Sequence, residues 1–327
     1  MTWLRRPEIA LALLLAWPPA RAQTYRPAEV LKPTKALWAI AISPDGTHLA
    51  VASDDEDIKI WSLESGGLNL TISIQSKSST ASGLAYSPDG KVLASGLSDG
   101  TIVLWDAATG AHLRSWNASS QAIKAVYSPD GRVLLTRDTN GVKLWRPDSA
   151  KLVFVFSEPV GEPASIAFSP DAKLLAVAST DANIRVWNLE SGQLKNVIEN
   201  LTLEPFSLTW SPDGKLLASA GADAAVSLWN TTTWKRERIL GPQTEPINAI
   251  AFSPDGKWIA SGALPSGSFR SPAEVRMWDL QSGQSQVVGT EDSGLNSVAF
   301  TRTGQLLVTT RFVDTSARLE FHIWQRY

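Results

Sequence analysis

Seven tryptophans recur at matching places along this chain of 327 residues. They are Trp61, Trp105, Trp145, Trp187, Trp229, Trp278 and Trp324. Each follows a turn that reads Ser-Pro-Asp-Gly from Ser43, Ser87, Ser128, Ser211 and Ser253, with weaker copies from Ser169 and Thr301. Successive turns begin 44, 41, 41, 42, 42 and 48 residues apart. A period of this size indicates repeated structural units, each built by the same local pattern.

The second repeat shows what one unit contains. Short apolar-rich segments run over 82–86, 91–95, 101–105 and 111–116, and turn residues separate them. Four antiparallel strands and three turns in about 42 residues are typical of one blade of a β-propeller. The sequence therefore predicts an all-β fold, a seven-bladed β-propeller of four-stranded antiparallel blades, which forms a single domain over residues 23–327.

The last repeat has only three of these strands, over 295–300, 306–311 and 319–324. Its missing fourth strand would leave an open sheet edge, which proteins normally protect. We expect a segment near Tyr25 to Leu31 to complete blade seven as its outer strand and so to close the ring.

The motifs of these repeats resemble those of the WD40-repeat family over residues 37–327. The resemblance is carried by the Ser-Pro-Asp-Gly turn and by strand endings such as Ile58-Lys59-Ile60-Trp61 and Ile102-Val103-Leu104-Trp105-Asp106. A further turn of the family type spans Asp279 to Gly283. The resemblance implies a propeller in which the loops between strands two and three lie on the same face as the loops between blades, here called the top face.

In that family, blades often carry a hydrogen-bonded tetrad of Asp, His, Ser or Thr, and Trp. The resemblance assigns the structural Asp to Asp55, Asp99, Asp181 and Asp223, and the Trp to the seven tryptophans given above. Hydroxyls such as Ser95 and Ser219 are available in the second strand, but the Gly-His pair that precedes the first strand is absent. The tetrad is therefore expected to be incomplete, and packing around Trp to contribute more.

Charge and cysteine content narrow the partners and the chemistry. The net charge of −2 falls to −4 without the first 22 residues, which carry three Arg against one Glu. This mildly acidic balance argues against nucleic acid, because nucleic-acid binders usually present a basic surface. The absence of cysteine excludes disulfides, thiolate metal sites and a cysteine nucleophile.

The first 22 residues have the layout of a signal peptide. Arg5 and Arg6 precede an apolar stretch from Ile9 to Trp17, and Ala20-Arg21-Ala22 offers a cleavage site before Gln23. The stretch is shorter than the ~20 residues that span a bilayer. We expect Sec-type export, cleavage after Ala22, and a secreted or periplasmic, monomeric protein without stable membrane insertion; an uncleaved anchor is the alternative.

Catalytic and metal-binding patterns are not evident. His48, His112 and His322 lie in different repeats, and no His-Glu-x-x-His motif occurs. The Asp of each Ser-Pro-Asp-Gly turn is interpreted as a hydrogen-bonding turn residue rather than a metal ligand. The sequence predicts no catalytic residue, no metal and no cofactor, although a Ser-His-Asp site is recognised by geometry and not by order.

Two departures from the repeat suggest binding surfaces. The loop between strands two and three is lengthened in blade six, over about 263–273, and in blade seven, over about 311–318. Aromatic and Arg side chains are frequent interface anchors, so a rim formed by these loops is one candidate, with a tolerated loop insertion as the alternative. Its candidate residues are Phe269, Arg270, Arg311, Phe312 and Arg318.

The second departure lies five residues before each turn, a position that the resemblance places near the entrance of the central channel. Trp38, Ile123 and Phe206 occupy it in three repeats and are the candidate apolar contacts of a partner. The alternative is that they are packed between blades.

These observations favour a non-catalytic scaffold that binds a protein or peptide on the top face. An exported propeller hydrolase or lyase with a site at the channel is the main alternative, and a carbohydrate-binding module that uses Trp234 and Trp258 is a third. An enzyme would need convergent titratable groups in a pocket, which the scarcity of His does not favour.

Overall fold

The computed structural model of the chain describes a series of ranges that together cover most of the repeats. They are residues 25–29, 37–53, 57–74, 79–120, 124–138, 141–156, 163–199, 201–264, 272–291, 294–300, 304, 306–312 and 319–326. Side chains are not described for 25–29, for 37 and 38, for 163, for 296, or for 306–326.

The described strands follow the repeat closely. The first strand is β1 (Tyr25–Glu29). Blade one contains β2 (Leu37–Ile42), β3 (His48–Ser53), β4 (Asp57–Ser62) and β5 (Leu68–Ser73). Blade two contains β6 (Ala81–Tyr86), β7 (Val92–Leu97), β8 (Thr101–Asp106) and β9 (His112–Asn117). Blade three contains β10 (Lys124–Tyr127), β11 (Leu134–Asp138), β12 (Gly141–Arg146) and β13 (Lys151–Phe156).

The same order continues through the second half. Blade four contains β14 (Pro163–Phe168), β15 (Leu174–Ser179), β16 (Asn183–Asn188) and β17 (Leu194–Ile198). Blade five contains β18 (Pro205–Trp210), β19 (Leu216–Gly221), β20 (Val226–Asn230) and β21 (Arg236–Leu240). Blade six contains β22 (Ile247–Phe252), β23 (Trp258–Ala263), β24 (Ala273–Asp279) and β25 (Ser285–Glu291). The last strands are β26 (Leu295–Phe300), β27 (Leu306–Phe312) and β28 (Leu319–Arg326).

The sheet topology confirms an all-β propeller and corrects the predicted seven blades. Within the described residues, six blades are complete units of four strands consecutive in sequence, so six and not seven blades are of the predicted repeating kind. The remaining sheet has the order β1-β28-β27-β26 and is a composite of the two ends of the described chain. We call it the composite sheet.

In the composite sheet the first strand pairs antiparallel with the last. Tyr25 lies opposite Arg326 and Pro27 opposite Trp324, and the register shifts before Glu29. The segment from Tyr25 therefore supplies the fourth strand that the last repeat lacks. This pairing gives β28 a hydrogen-bonded neighbour on the side that would otherwise be an open edge.

The turn after the first strand of each blade has one geometry because its residues dictate it. Pro presets φ near −65° and the fourth residue must accept a positive φ. Gly90 has φ +74°, and the weaker copy in blade four places Ala172 at φ +56° in the same role. The Ser hydroxyl donates to the Asp carboxylate across this turn, as from Ser87 Oγ to Asp89 Oδ1 at 2.6 Å.

The core lies between neighbouring blades and is divided into layers. The second strand of each complete blade is almost wholly buried, with Leu49, Leu93 and Leu175 having no exposed surface. One such layer joins blades three and four through Leu135, Leu144 and Val177. Because every layer needs both of its blades, burial of apolar surface favours the ring over separate sheets.

Candidate functional site

Strand direction divides the propeller into two faces. Consecutive strands are antiparallel, so the Ser-Pro-Asp-Gly turns and the turns before the fourth strands share one face. We call it the turn face. The connections from strand two to strand three, and from one blade to the next, lie on the opposite loop face. The first residues of the innermost strands therefore surround the channel on the loop face, and we call this region the channel entrance.

Phe206 is the one predicted entrance side chain that the structure describes. It is the second residue of β18 and is half-buried, so part of its ring remains available to a partner. Glu204, which is exposed, lies two residues earlier and accepts a hydrogen bond through its main-chain carbonyl from the amide of Ala222 at 3.1 Å. An apolar ring and a carboxylate therefore stand next to each other at the start of blade five.

Blade three contributes positive charge to the entrance. Lys124 begins β10 and lies directly opposite Arg137 of β11. Arg137 donates from Nη1 to the carbonyl oxygen of Ala164 in blade four at 2.6 Å. The surrounding protein and the positive charge of Arg137 lower the pKa of Lys124, even though its side chain keeps contact with solvent. The entrance is thus positive at blade three and carries Glu204 at blade five.

Hydrogen bonds join the inner strands of neighbouring blades on the Phe206 side of the entrance. The hydroxyl of Ser165 accepts from the amide of Leu208 at 3.0 Å, and that of Ser207 accepts from the amide of Ile250 at 3.1 Å. Asn248 Nδ2 donates to the carbonyl oxygen of Leu295 at 2.9 Å. These contacts link blades four, five and six to the composite sheet, so the wall of the entrance is preorganised.

The other predicted binding residues divide into two groups. Trp38, Arg311 and Phe312 lie in described strands, but their side chains are outside the described part of the structure. Ile123, Phe269, Arg270 and Arg318 lie outside the described residues altogether. The long-loop rim over 263–273 and 311–318 therefore stays a prediction, and the entrance is the candidate whose contacts can be examined.

In four blades the repeated tryptophan has the hydroxyl partner that the tetrad pattern indicates. In each of these blades the indole N–H donates a hydrogen bond to a hydroxyl of strand two. The pairs are Trp105 with Ser95 at 2.9 Å, Trp145 with Thr136 at 2.9 Å, Trp229 with Ser219 at 2.9 Å and Trp278 with Ser261 at 2.8 Å. Trp61 and Trp187 are half-buried, and the side chain of Trp324 is not described. In blades one and four the corresponding strand-two residues are Val51 and Val177.

Side chains that the sequence analysis missed stand where the family places histidine. Ser79 Oγ donates to Asp99 Oδ2 at 2.7 Å, and Ser119 Oγ donates to Asp138 Oδ2 at 2.5 Å. In blade six, Gln243 Oε1 accepts from Ser261 Oγ at 3.0 Å. The sequence signal in these three blades is a polar residue eight to ten positions before the turn, where the family has its Gly-His pair.

The four predicted structural aspartates differ in their contacts. Asp181 pairs with Arg185 at 2.7 Å, and Asp223 accepts from the amide of Ala225 at 3.3 Å. Asp55 lies outside the described residues. Burial works to raise the pKa of Asp99, but hydrogen bonds from Ser79 and from the Thr101 amide outweigh it and the pKa is lowered. This carboxylate therefore remains ionised at neutral pH.

The carboxylates of the turn aspartates accept hydrogen bonds from residues of their own hairpins. The hydroxyl of Ser43, with the amide and hydroxyl of Thr47, donates to Asp45 and lowers its pKa to about 2. Among the described residues there is no group of three or more His, Asp or Glu arranged to hold a metal ion. The part of the chain that the structure describes also has no helix long and apolar enough to cross a membrane.

His48 of blade one belongs to a chain of polar side-chain contacts. Its Nδ1 lies 2.7 Å from Thr47 Oγ1, which donates to Asp45, and its Nε2 lies 2.9 Å from Asn69 Nδ2. Both ring nitrogens are thereby engaged in contacts within the blade. The imidazole consequently supports the turn rather than presenting a free nitrogen.

Comparison with known proteins identifies the repeats. The model of a family described as WD domain, G-beta repeat, matches residues 26–62, 151–188, 202–230 and 234–279. The model of a family described as Anaphase-promoting complex subunit 4 WD40 domain matches residues 70–130. No curated protein matches the chain. The matched segments cover all six complete blades in whole or in part and extend over well over half of the chain.

Proposed function

Because this chain belongs to the WD40-repeat family of β-propeller proteins, we propose that it is a non-catalytic scaffold that binds a protein or peptide at the channel entrance. The observation that carries the proposal is that a half-buried aromatic ring and charges of both signs lie around one entrance, at the starts of blades five and three. Phe206 offers apolar area, Lys124 and Arg137 offer positive charge, and Glu204 offers negative charge.

A peptide is the ligand that matches this set of groups. Its main chain supplies carbonyl and amide groups, and its side chains can meet an apolar ring and both signs of charge. Aromatic and Arg residues contribute disproportionately to interface free energy. The inter-blade hydrogen bonds from Leu208 to Ser165 and from Ile250 to Ser207 hold the frame, so little ordering free energy is lost on binding.

The proposed site of action is outside the cytoplasm. The basic start, short apolar stretch and Ala20-Arg21-Ala22 of the sequence support export with cleavage before Gln23. A cysteine-free chain also has no thiol to be oxidised there.

The experiment is affinity purification of the full chain from the exported fraction of its own cells, with the mature N-terminus read by mass spectrometry. We expect the N-terminus at Gln23 and one partner that is reduced at least tenfold with Phe206→Ala and with Lys124→Glu. Lys215→Glu is the matched control, because Lys215 lies on the turn face and its side chain is 81% exposed. Equal recovery in all three variants would reject the entrance, and a chain found only in the cytoplasm would reject export.

A further inference from the structure

The turn face contains two clefts, one between blades one and two and one between blades two and three, where the blades diverge towards their outer strands. Each cleft is bounded by two neighbouring Ser-Pro-Asp-Gly hairpins and by the fourth strand of the earlier blade. The two-three cleft, between blades two and three, has a volume of about 700 Å³. The corresponding one-two cleft has a volume of about 510 Å³.

The wall of the two-three cleft is largely apolar. Val92, Leu104 and Tyr127 form its inner part, and Leu104 and Tyr127 are 6% and 9% exposed. Leu113 of β9 lies at the outer part and is 50% exposed. The one-two cleft has His48 in place of Val92 and Asn69 in place of Leu113. The two-three cleft joins a buried apolar wall to an exposed Leu, and the one-two cleft does not. The two-three cleft is therefore the better receptor of the two for an apolar side chain.

Equivalent positions between later blades are occupied by side chains of the protein itself. In blade three the fourth-strand residue opposite Leu144 of β12 is Phe154, and its ring fills the space where a Cβ on Gly192 of blade four would stand. Trp234 and Trp210 of blade five pack edge-on with ring centroids 6.2 Å apart, and both join the apolar cluster that blade five shares with blade four. These inter-blade spaces are therefore filled from within.

The residue at this position in blade two is Arg114, and its counterpart in blade five shows what it can bind. Arg238 occupies the same register and donates from Nη1 to the carbonyl oxygen of Leu280 in blade six at 2.6 Å. Arg114 has no ion-pair or hydrogen-bond partner within the described residues. Its guanidinium lies at the cleft and is exposed, ready to donate to a main-chain carbonyl that does not belong to this chain.

The remaining polar groups of the cleft are mostly acidic. Asp89, Asp130 and Asp148 contribute three carboxylates against the one guanidinium of Arg114. In Asp89 and Asp130 the Oδ1 atom accepts hydrogen bonds within the hairpin. The Oδ2 atom of Asp130 has a contact at 3.7 Å to the 78%-exposed Arg132, and that of Asp89 has none among the described residues. A basic group therefore complements the rim, and an acidic one is repelled.

We propose that the two-three cleft is a second docking site, which takes a partner's extended segment in which a large aliphatic side chain is flanked by Lys or Arg. The aliphatic side chain enters between Leu104, Leu113 and Tyr127. The flanking cations meet Asp89 and Asp148, and Arg114 donates to a main-chain carbonyl of the segment. The site lies on the face opposite the channel entrance, so it does not depend on the function proposed above.

The test uses short capped peptides and NMR of the isotope-labelled full-length protein. The probe is acetyl-Lys-Leu-Lys-amide, and the controls are acetyl-Lys-Ala-Lys-amide and acetyl-Glu-Leu-Glu-amide. We expect saturable shift changes at amides of the cleft, such as those of Arg114 and Asp148. The Ala peptide should bind at least fivefold more weakly, because the apolar contact is lost, and the Glu peptide should give no saturable change.

Two variants keep the result interpretable. Arg114→Phe places in this cleft the residue type that fills the space between blades three and four. Peptide binding should fall at least tenfold while the melting temperature stays unchanged. Lys195→Phe on the exposed outer strand β17 is the matched control. Asp148→Lys reverses the charge of an exposed rim residue and should shift preference from the Lys to the Glu peptide. Shift changes spread over both faces, or binding unaffected by both cleft variants, would overturn the proposal.

Discussion

Blades six and four contain the same tryptophan in the same register but hold it by different contacts. Trp278 lies opposite Ile259, and Trp187 lies opposite Leu175. In blade six the indole N–H of Trp278 donates to Ser261 Oγ at 2.8 Å, and that hydroxyl donates to Gln243 Oε1 at 3.0 Å. All three residues are buried, with at most 6% of any one exposed.

Blade four replaces this polar chain by apolar packing and an ion pair. Val177 stands where Ser261 stands in blade six, and Trp187 packs on Phe156 of blade three with centroids 5.1 Å apart. Arg185 pairs with Asp181 at 2.7 Å, while the Nη1 atom of Arg185 and the hydroxyl of Ser179 are buried without a hydrogen-bond partner among the described residues.

The two blades therefore share the volume that an indole occupies between strands two and three and not the hydrogen bonds that hold it. Both indoles fill the same space between strands two and three. The hydroxyl chain fixes the indole of blade six, whereas the neighbouring blade's aromatic ring fixes that of blade four. Removing the hydroxyl partner of the indole should therefore lower the stability of blade six, whereas blade four has no such partner to lose.

Removal of the whole indole is the variant with the largest expected effect. Trp278→Ala leaves a cavity in a fully buried site and should lower the free energy of unfolding by about 3–5 kcal/mol. Trp187→Ala should lower it by about 1–3 kcal/mol, because the half-buried ring leaves a space that solvent can enter. Chemical denaturation of both variants gives the comparison, and equal losses would contradict the distinction between the two blades.

An exchange of the strand-two residues tests the polar contacts alone. Ser261→Val leaves the N–H of Trp278 and the carbonyl of Gln243 buried without Ser261 and should lower the free energy of unfolding by about 2–3 kcal/mol. The reverse exchange, Val177→Thr, should lower it by less than about 1 kcal/mol, because the new hydroxyl can accept from Trp187 as Thr136 does from Trp145. Losses of similar size in urea denaturation would show that the hydroxyl chain adds nothing in blade six.

Much of the fold was predictable because the repeat encodes local structure directly. The Ser-Pro-Asp-Gly turns set the first hairpin of each unit, and period-two patterning sets the strands around them. The pairing of the segment from Tyr25 with the last strand followed from counting strands in the last repeat. The predicted number of complete blades was wrong by one, because the last repeat forms its sheet together with β1 from the first part of the described chain.

The site was less predictable because it depends on contacts between blades. Nothing in the sequence of blade two shows that Arg114 lies at an open cleft while Arg238 in blade five reaches the carbonyl of Leu280. The roles of Ser79 and Gln243 were also hidden, because a serine or glutamine can take the place of the family's histidine only if the backbone brings it to the network. Distances of this kind arise from tertiary packing and not from local spacing.

The ion pair of blade four should contribute less to the free energy of unfolding than the indole or the hydroxyl chain of blade six, and its contribution depends on pH. Burial works to raise the pKa of Asp181, but hydrogen bonds from Arg185 and Asn183 and the positive charge of Arg185 outweigh it and the pKa is lowered. A carboxyl with a lowered folded-state pKa contributes stability at neutral pH, and this contribution is lost as the pH falls below the unfolded value of about 3.9 towards the folded value.

Asp181→Asn should therefore lower the free energy of unfolding by about 1–2 kcal/mol at pH 7, less than for a fully buried pair because its side chain is 14% exposed. The difference from the wild type should shrink below about pH 4, where the Asp181 carboxyl is protonated in the unfolded chain but still ionised in the folded one. Glu274→Gln is the matched control in blade six, where Arg276 occupies the register of Arg185 and the pair is 21% and 29% exposed. Denaturation curves between pH 7 and pH 3 measure both variants. A constant difference for Asp181→Asn across this range would mean that the carboxylate charge does not stabilise blade four, and the contrast with blade six would then rest on packing alone.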